Sequence, residues 1–417
     1  MTDFVVSGGR SSYYPPSGYD WGGQFSGSRA TFFLPSDFSG PDVNALAITN
    51  LPITVLSSSP VSVNNSFFGM SVRYRANDAL TGVTAQTVRI LGSDGGIERW
   101  QIIQPTSSTD TSTWNWTGLD TWVNTNYALG RDMVFTLFGT PSWASARPNE
   151  MNAYSDQGTG PVFNRGIAAE PSDLTTWDYF CTAVATRYLG KIKYYEVWNE
   201  VNYQNDGTGT TGTKSFWTGT YAKLAEMVRR ANQAIKAIDP TAKILSPNIQ
   251  GWTTTSGASD TFFAGMMAAS SGDVGNTPMS QWVDIIAVHL YLPGANRVQD
   301  LAGCIDRVNA SKTTAGVSGL ETWDTESAPI APDMSGLTDA RAETLLARTL
   351  VTMAAKGIAR HIYYQYDEAT MGINTRPAVI AYREQLVTLL KGTTILNATR
   401  FTDGRVAYWT TGGVVII

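Results

Sequence analysis

Tyr194-Tyr195-Glu196-Val197-Trp198-Asn199-Glu200 drives an apolar, strand-like run straight into an adjacent amide and carboxylate. Packing alone gives a buried strand no reason to end on Asn-Glu. A second run closes the same way, at Trp323-Asp324-Thr325-Glu326, so two elements each offer a carboxylate to one site. Two carboxylates are the minimum equipment for cutting a glycosidic bond.

Around the first run, short apolar strands alternate with longer segments of helical period, the pattern of βα units about a parallel sheet. Strands are expected at 67–72, 87–91, 133–138, 192–198, 243–246, 283–290, 320–325 and 360–366, and eight strands are enough to close a barrel. Helices are expected at 174–188, 216–238, 340–356 and 378–390, with Asp173 and Asp339 placed for capping. The competing doubly wound sheet requires a Gly-rich phosphate turn after its first strand, and 67–75 has none.

Up to about residue 60 the chain is rich in Gly, Ser, Pro and aromatics with short β-like runs and no expected helix. From Thr393 the β texture returns, with a hairpin turn expected at Thr402-Asp403-Gly404-Arg405. The expected fold is therefore a (β/α)8 TIM barrel over 61–391, with a small accessory β layer in which the N-terminal lead (1–60) packs with the tail (392–417).

Composition narrows the partners. The 417 residues are 42% hydrophobic and 16% charged with a net charge of −5, which gives a large core and no basic face for nucleic acid or anionic lipid. The N-terminus lacks the basic start and apolar stretch of a secretory signal, and no segment is long enough to span a membrane, so a soluble protein is expected, with a place outside the cell or on a phage particle left open. Cys181 and Cys304 fall in helical segments without metal spacing. With His289 and His361 the only histidines, an imidazole zinc site is not expected, and neither a metal nor a cofactor is called for.

In a (β/α)8 barrel, functional residues close strands or open the following loops. Glu200 follows the fourth expected strand and Glu326 ends the seventh, on opposite sides of one mouth. Arg89 is a charge in the apolar run Val88-Arg89-Ile90 and requires a carboxylate partner, either Glu326 in a functional pair or Glu196 in a structural one. Pairing with Arg89 favours the charged form of Glu326, whereas aromatic neighbours and a facing carboxylate favour the protonated form of Glu200, so environment sets their roles. His289 and Tyr291 close the sixth strand, with Tyr291 a donor to the nucleophile, and Asn199 is placed to hold a sugar hydroxyl.

Glu196-Val197-Trp198-Asn199-Glu200-Val201-Asn202 resembles the acid/base signature of clan A glycoside hydrolases, most closely glycoside hydrolase family 39, with family 5 sharing these motifs. Gly139-Thr140-Pro141-Ser142-Trp143-Ala144, Trp177 and Arg187-Tyr188 are similar to that family in order and spacing. Over about 67–390 the resemblance implies a barrel with retaining chemistry, Glu200 as acid/base, Glu326 as nucleophile, Asn199 on the sugar, and Arg89 and Tyr291 supporting the nucleophile. Val201 stands where the family has proline, and the family's large β-sandwich is absent or reduced to the chain ends.

Aromatics at or beyond strand ends, Trp143, Trp252, Trp323, Tyr203 and Tyr366, serve equally as sugar platforms or core. With the polar loops 144–171, 204–214 and 251–259 they suggest a cleft for several sugar units. The expected partner is a polysaccharide or oligosaccharide, such as a bacterial exopolysaccharide or capsule. The other reading is a non-catalytic carbohydrate-binding or phage-particle attachment protein on a barrel scaffold. An aldolase- or enolase-type barrel would need a strand-end lysine or a cluster of metal carboxylates, and the sequence offers no obvious example of either.

Overall fold

In the computed structural model, residues 60–72, 80–91, 97–153, 165–209, 215–291, 300–328, 337–367, 372–400, 406–411 and 413–416 are described, with the strands Val5–Ser7, Arg10–Tyr13, Ala30–Phe33 and Thr54–Ser57. Eight strands form a closed barrel: β1 (Phe68–Val72), β2 (Thr87–Ile90), β3 (Asp132–Leu137), β4 (Tyr194–Val197), β5 (Lys243–Leu245), β6 (Ile285–Val288), β7 (Glu321–Ser327) and β8 (Ile358–Tyr363). Each pairs in parallel with its sequence neighbours, and β8 closes on β1 through His361 to Phe68 and Tyr363 to Met70. Closure excludes the doubly wound sheet. All eight predicted stretches are strands, their ends moved by at most three residues.

The helices are α1 (Trp100–Ile103), α2 (Thr117–Ala128), α3 (Thr175–Arg187), α4 (Tyr221–Ile238), α5 (Ala258–Ala268), α6 (Leu301–Thr314), α7 (Asp339–Ala355) and α8 (Pro377–Leu390). On α4 the buried Leu224, Met227, Val228, Ala231 and Ile235 recur at three- and four-residue steps, so one face packs on the barrel. The Asp173 carboxylate accepts Thr175 N at 2.9 Å as α3 begins. The cap of α7 corrects the sequence reading: Thr338 Oγ1 accepts Arg341 N, while Asp339 is already helical and pairs with Arg376.

Inside the barrel Val134, Leu245, Ile285, Ala287, Trp323 and Ile362 pack together. Arg360 lies over Trp323 at 4.2 Å and Tyr194 at 4.6 Å and is paired with Asp132 at 2.6 Å, which plugs the end opposite the strand C-termini. Gly69 lets β1 approach β8, because a Cβ there would stand 2.8 Å from Ile362 Cγ1 and 3.0 Å from the His361 carbonyl.

Strands from both chain ends share one sheet: Thr394–Arg400 pairs antiparallel with Thr54–Ser57, Val61–Ser62 and Val406–Thr410, and the last pairs with Gly413–Ile416. The hairpin turn expected at 402–405, and the expectation of no helix before residue 60, fall on or extend into residues outside those described. Cys181 and Cys304 are free and buried in α3 and α6.

Candidate active site

At the C-terminal mouth Arg89, a fully buried residue of β2, is the centre of charge. It donates from Nε and Nη2 to Glu196 Oε2 at 2.8 and 2.7 Å, from Nη1 to Glu326 Oε2 at 2.7 Å, and from Nη2 to Asn199 Oδ1 at 2.9 Å. The functional and structural pairings open to it in the sequence therefore coexist. Burial works against its charge, but Glu196 and Glu326 outweigh that and raise its pKa. Burial likewise disfavours the Glu196 carboxylate, yet Arg89, helped by His289 and the Thr325 hydroxyl, holds its pKa below 4.5. Thr136 Oγ1 and Thr325 Oγ1 complete its shell at 2.8 and 2.7 Å. Glu196 is thus satisfied inside the barrel and turned away from chemistry.

Glu200 reaches the mouth through a strained turn. Trp198 and Glu200 have φ of +67° and +43°, a region costly for residues with a Cβ. The turn is held by Glu200 N donating to Asn248 Oδ1 at 2.6 Å and Trp198 Nε1 to the Phe216 carbonyl at 2.8 Å. Asn202 exchanges two hydrogen bonds with the Gln250 backbone, at 2.9 and 3.1 Å, tying the segments after β4 and β5 together.

His289 and Tyr291, just beyond β6, meet the two carboxylates. His289 Nδ1 lies 2.8 Å from Glu200 Oε1 and 4.0 Å from Glu326 Oε1, and Tyr291 donates from its hydroxyl to Glu326 Oε1 at 3.1 Å. A carboxylate oxygen of Glu200, one of Glu326 and a ring nitrogen of His289 all lie within 4.8 Å of one another. Burial lowers the His289 pKa, but Glu326 and Glu200 outweigh both it and the opposing charge of Arg89, so the net shift is upward. A raised folded pKa stabilises the protein below the unfolded value of about 6.5 and loses that contribution as pH rises through the folded value. The Tm advantage of the wild type over His289→Gln is therefore expected to shrink as pH rises above about 6.5 in thermal melts; an advantage that grows with pH would contradict this charge balance.

The structure brings Glu200, Glu326, Asn199, Arg89, His289 and Tyr291 together and buries several of the aromatics in the core. Trp252 is 2% exposed, its indole donating to the Ile249 carbonyl at 3.0 Å and packing on Phe263, so it belongs to the core. Tyr366, 7% exposed, and Trp323, 1% exposed, are core residues too, the latter because its position on β7 faces the barrel interior. Trp143 is half-buried against Trp100 and donates to the Gln104 carbonyl at 3.2 Å, while Tyr203 packs on Phe216. Tyr364 escaped the sequence reading: it is half-buried, its ring is 6.4 Å from Tyr291, and a cis peptide joins it to Gln365. Asn248 escaped it as well, although an Asn closing Ser246-Pro247-Asn248 just beyond β5 obeys the same strand-end rule.

No protein-family model matches the sequence, and no curated protein is similar to it. Solved structures do resemble it in fold. A glucosidase from Croceicoccus marinus aligns with a TM-score of 0.58 at 15% identity, over 86% of this chain and 78% of its own. A family 39 enzyme from Xanthomonas axonopodis pv. citri gives 0.55 at 17% identity, over 83% and 72%. A family 39 β-xylosidase from Caulobacter crescentus gives 0.55 at 18%, over 85% and 79%. The chain is thus similar in fold to family 39 glycoside hydrolases, with two glutamates at the strand-end mouth of its (β/α)8 barrel.

Proposed function

We propose that the protein is a retaining O-glycoside hydrolase acting on a polysaccharide, with Glu326 as nucleophile and Glu200 as acid/base. The observation that carries this reading is the pair of strand-end carboxylates, reaching to within 4.8 Å of each other across His289. Retaining enzymes hold their carboxyls about 5 to 5.5 Å apart, whereas inverting ones leave room for a water at about 6.5 Å or more. Arg89 and the Tyr291 hydroxyl both donate to Glu326 and fix its position at the mouth. Each glutamate thus has surroundings suited to a different half of the reaction. Asn199, half held by Arg89 and Asn248, is placed for the hydroxyl beside the reacting carbon.

In the first half-reaction Glu326 attacks the anomeric carbon and Glu200 protonates the departing oxygen; in the second, Glu200 takes a proton from water, which displaces the Glu326 ester. The strands at the two chain ends form the accessory layer, and 61–391 the catalytic unit.

The acid/base role has a separable signature. Glu200→Gln is expected to lose roughly 10³-fold in kcat/KM on substrates with poor leaving groups, and far less on dinitrophenyl glycosides, whose leaving group needs no proton. Equal losses on both substrate types would remove Glu200 from that role. The substrate class is tested by incubating defined polysaccharides, exopolysaccharides and capsules included, and sizing the products. Labelling with a 2-fluoro glycoside followed by peptide mass spectrometry separates an enzyme from a carbohydrate-binding or particle-attachment protein, because a binder acquires no covalent sugar on Glu326.

A further inference from the structure

β7 alternates its side chains regularly and then breaks the alternation at the proposed nucleophile. Trp323 faces the inner core of the barrel, and Thr325, two residues on, reaches inward to Glu196. Unbroken alternation would turn Glu326 to the face of Asp324, away from Arg89. Glu326 nonetheless meets Arg89 and Tyr291. The reason lies in the pairing with β8, where Asp324 stands opposite His361 but the next pair is Ser327 with Tyr363. Three steps on β7 against two on β8 insert one extra residue, and such a bulge re-aims the side chains beside it.

Asp324 clasps this bulge. It is fully buried; its Oδ2 accepts Ser327 Oγ at 2.5 Å and lies 2.6 Å from His361 Nδ1, so one oxygen holds both β7 ends of the irregularity and the facing residue of β8. Its Oδ1 accepts Leu290 N at 3.0 Å. Leu290 separates His289 from Tyr291, the residues that meet Glu200 and Glu326.

We propose that Asp324 is a positioning residue: its carboxylate staples the bulge that turns Glu326 into the mouth and, through Leu290, sets the segment bearing His289 and Tyr291 at the same height. The proposal rests on the reading of Glu326 as nucleophile. It assigns Asp324 no contact with substrate. An ordinary buried Asp–His pair would support the fold without moving Glu326, and the two roles differ in what they do to the chemistry of Glu326.

The test uses full-length Ser327→Ala, Asp324→Asn and Asp324→Ala. Glu326 is followed by ¹³C-carboxyl NMR titration, and kcat, KM and Tm are measured on defined substrates. Loosening Glu326 from Arg89 removes a neighbouring positive charge, so the acidic limb of kcat/KM is expected to move to higher pH, and the Glu326 titration with it. Expected losses in kcat are about tenfold for Ser327→Ala and about 10²-fold for Asp324→Ala, with KM within about threefold. Asp324→Asn, which keeps an oxygen for Leu290 N, should fall between them. Folded variants in which Glu326 titrates as in the wild type overturn the proposal, even if Tm falls, since only a structural role would remain. Should Asp324→Ala fail to fold, Ser327→Ala decides by the same readout. A titration that moves in a protein without glycosidase activity would leave the positioning role standing and remove the functional reading instead.

Discussion

Replacing Glu326 with alanine is expected to lower turnover by at least about 10⁴-fold, with the fold intact, because the residue is asked to form and then release a covalent bond. The structure explains why such a variant should still fold. Arg89 keeps Glu196 and Asn199 as acceptors when Glu326 is gone, so no buried guanidinium is left without a partner. Removing the side chain also opens the face from which the nucleophile would attack. Azide entering that space should restore part of the activity on an activated aryl glycoside, giving a glycosyl azide of inverted configuration identified by NMR. Glu200 is untouched in this variant and remains free to protonate the leaving group. Wild-type turnover by Glu326→Ala would end the assignment. Rescue with retained configuration would mean that another group forms the intermediate.

The barrel was legible because its strands are short and apolar and the helices between them carry the longer period; β6 reads Ile285-Ile286-Ala287-Val288 without interruption. The two carboxylates were legible by the strand-end rule. That rule selects a position along the strand, whereas a working site also depends on the face. Parity on β7 puts Asp324 and Glu326 on one side, yet only Glu326 enters the mouth, because a bulge intervenes that leaves no mark in the period of the sequence. The left-handed turn at Trp198 and Glu200 was hidden for a related reason. No glycine announces it, and it is held instead by Asn248 and Phe216, which lie far along the chain. The aromatics were not separable in the sequence: Trp143 and Trp252 follow their strands alike, and burial tells them apart, Trp252 being 2% exposed and Trp143 half-buried.

Removal of Arg89 is the change expected to disturb this site most deeply, because one side chain there serves both stability and chemistry. In the Arg89→Met variant Glu196 stays fully buried and loses the guanidinium that pairs with it, at an expected cost of about 3–5 kcal/mol in chemical denaturation. The pH dependence should change sign. In the wild type Arg89 keeps the folded Glu196 pKa below 4.5, so the pair's contribution is present at neutral pH and fades as pH falls through the folded value. In Arg89→Met burial dominates and raises the folded pKa above the unfolded one. The native state then binds the extra proton, and stability falls as pH rises from about 4 toward neutrality. Adding Glu196→Gln should return much of the lost stability and flatten the slope. It should not return the activity, because Glu326 still lacks the guanidinium that holds it in the mouth. Recovery of both together would mean that Arg89 serves Glu196 alone, and that the contact with Glu326 contributes nothing to catalysis.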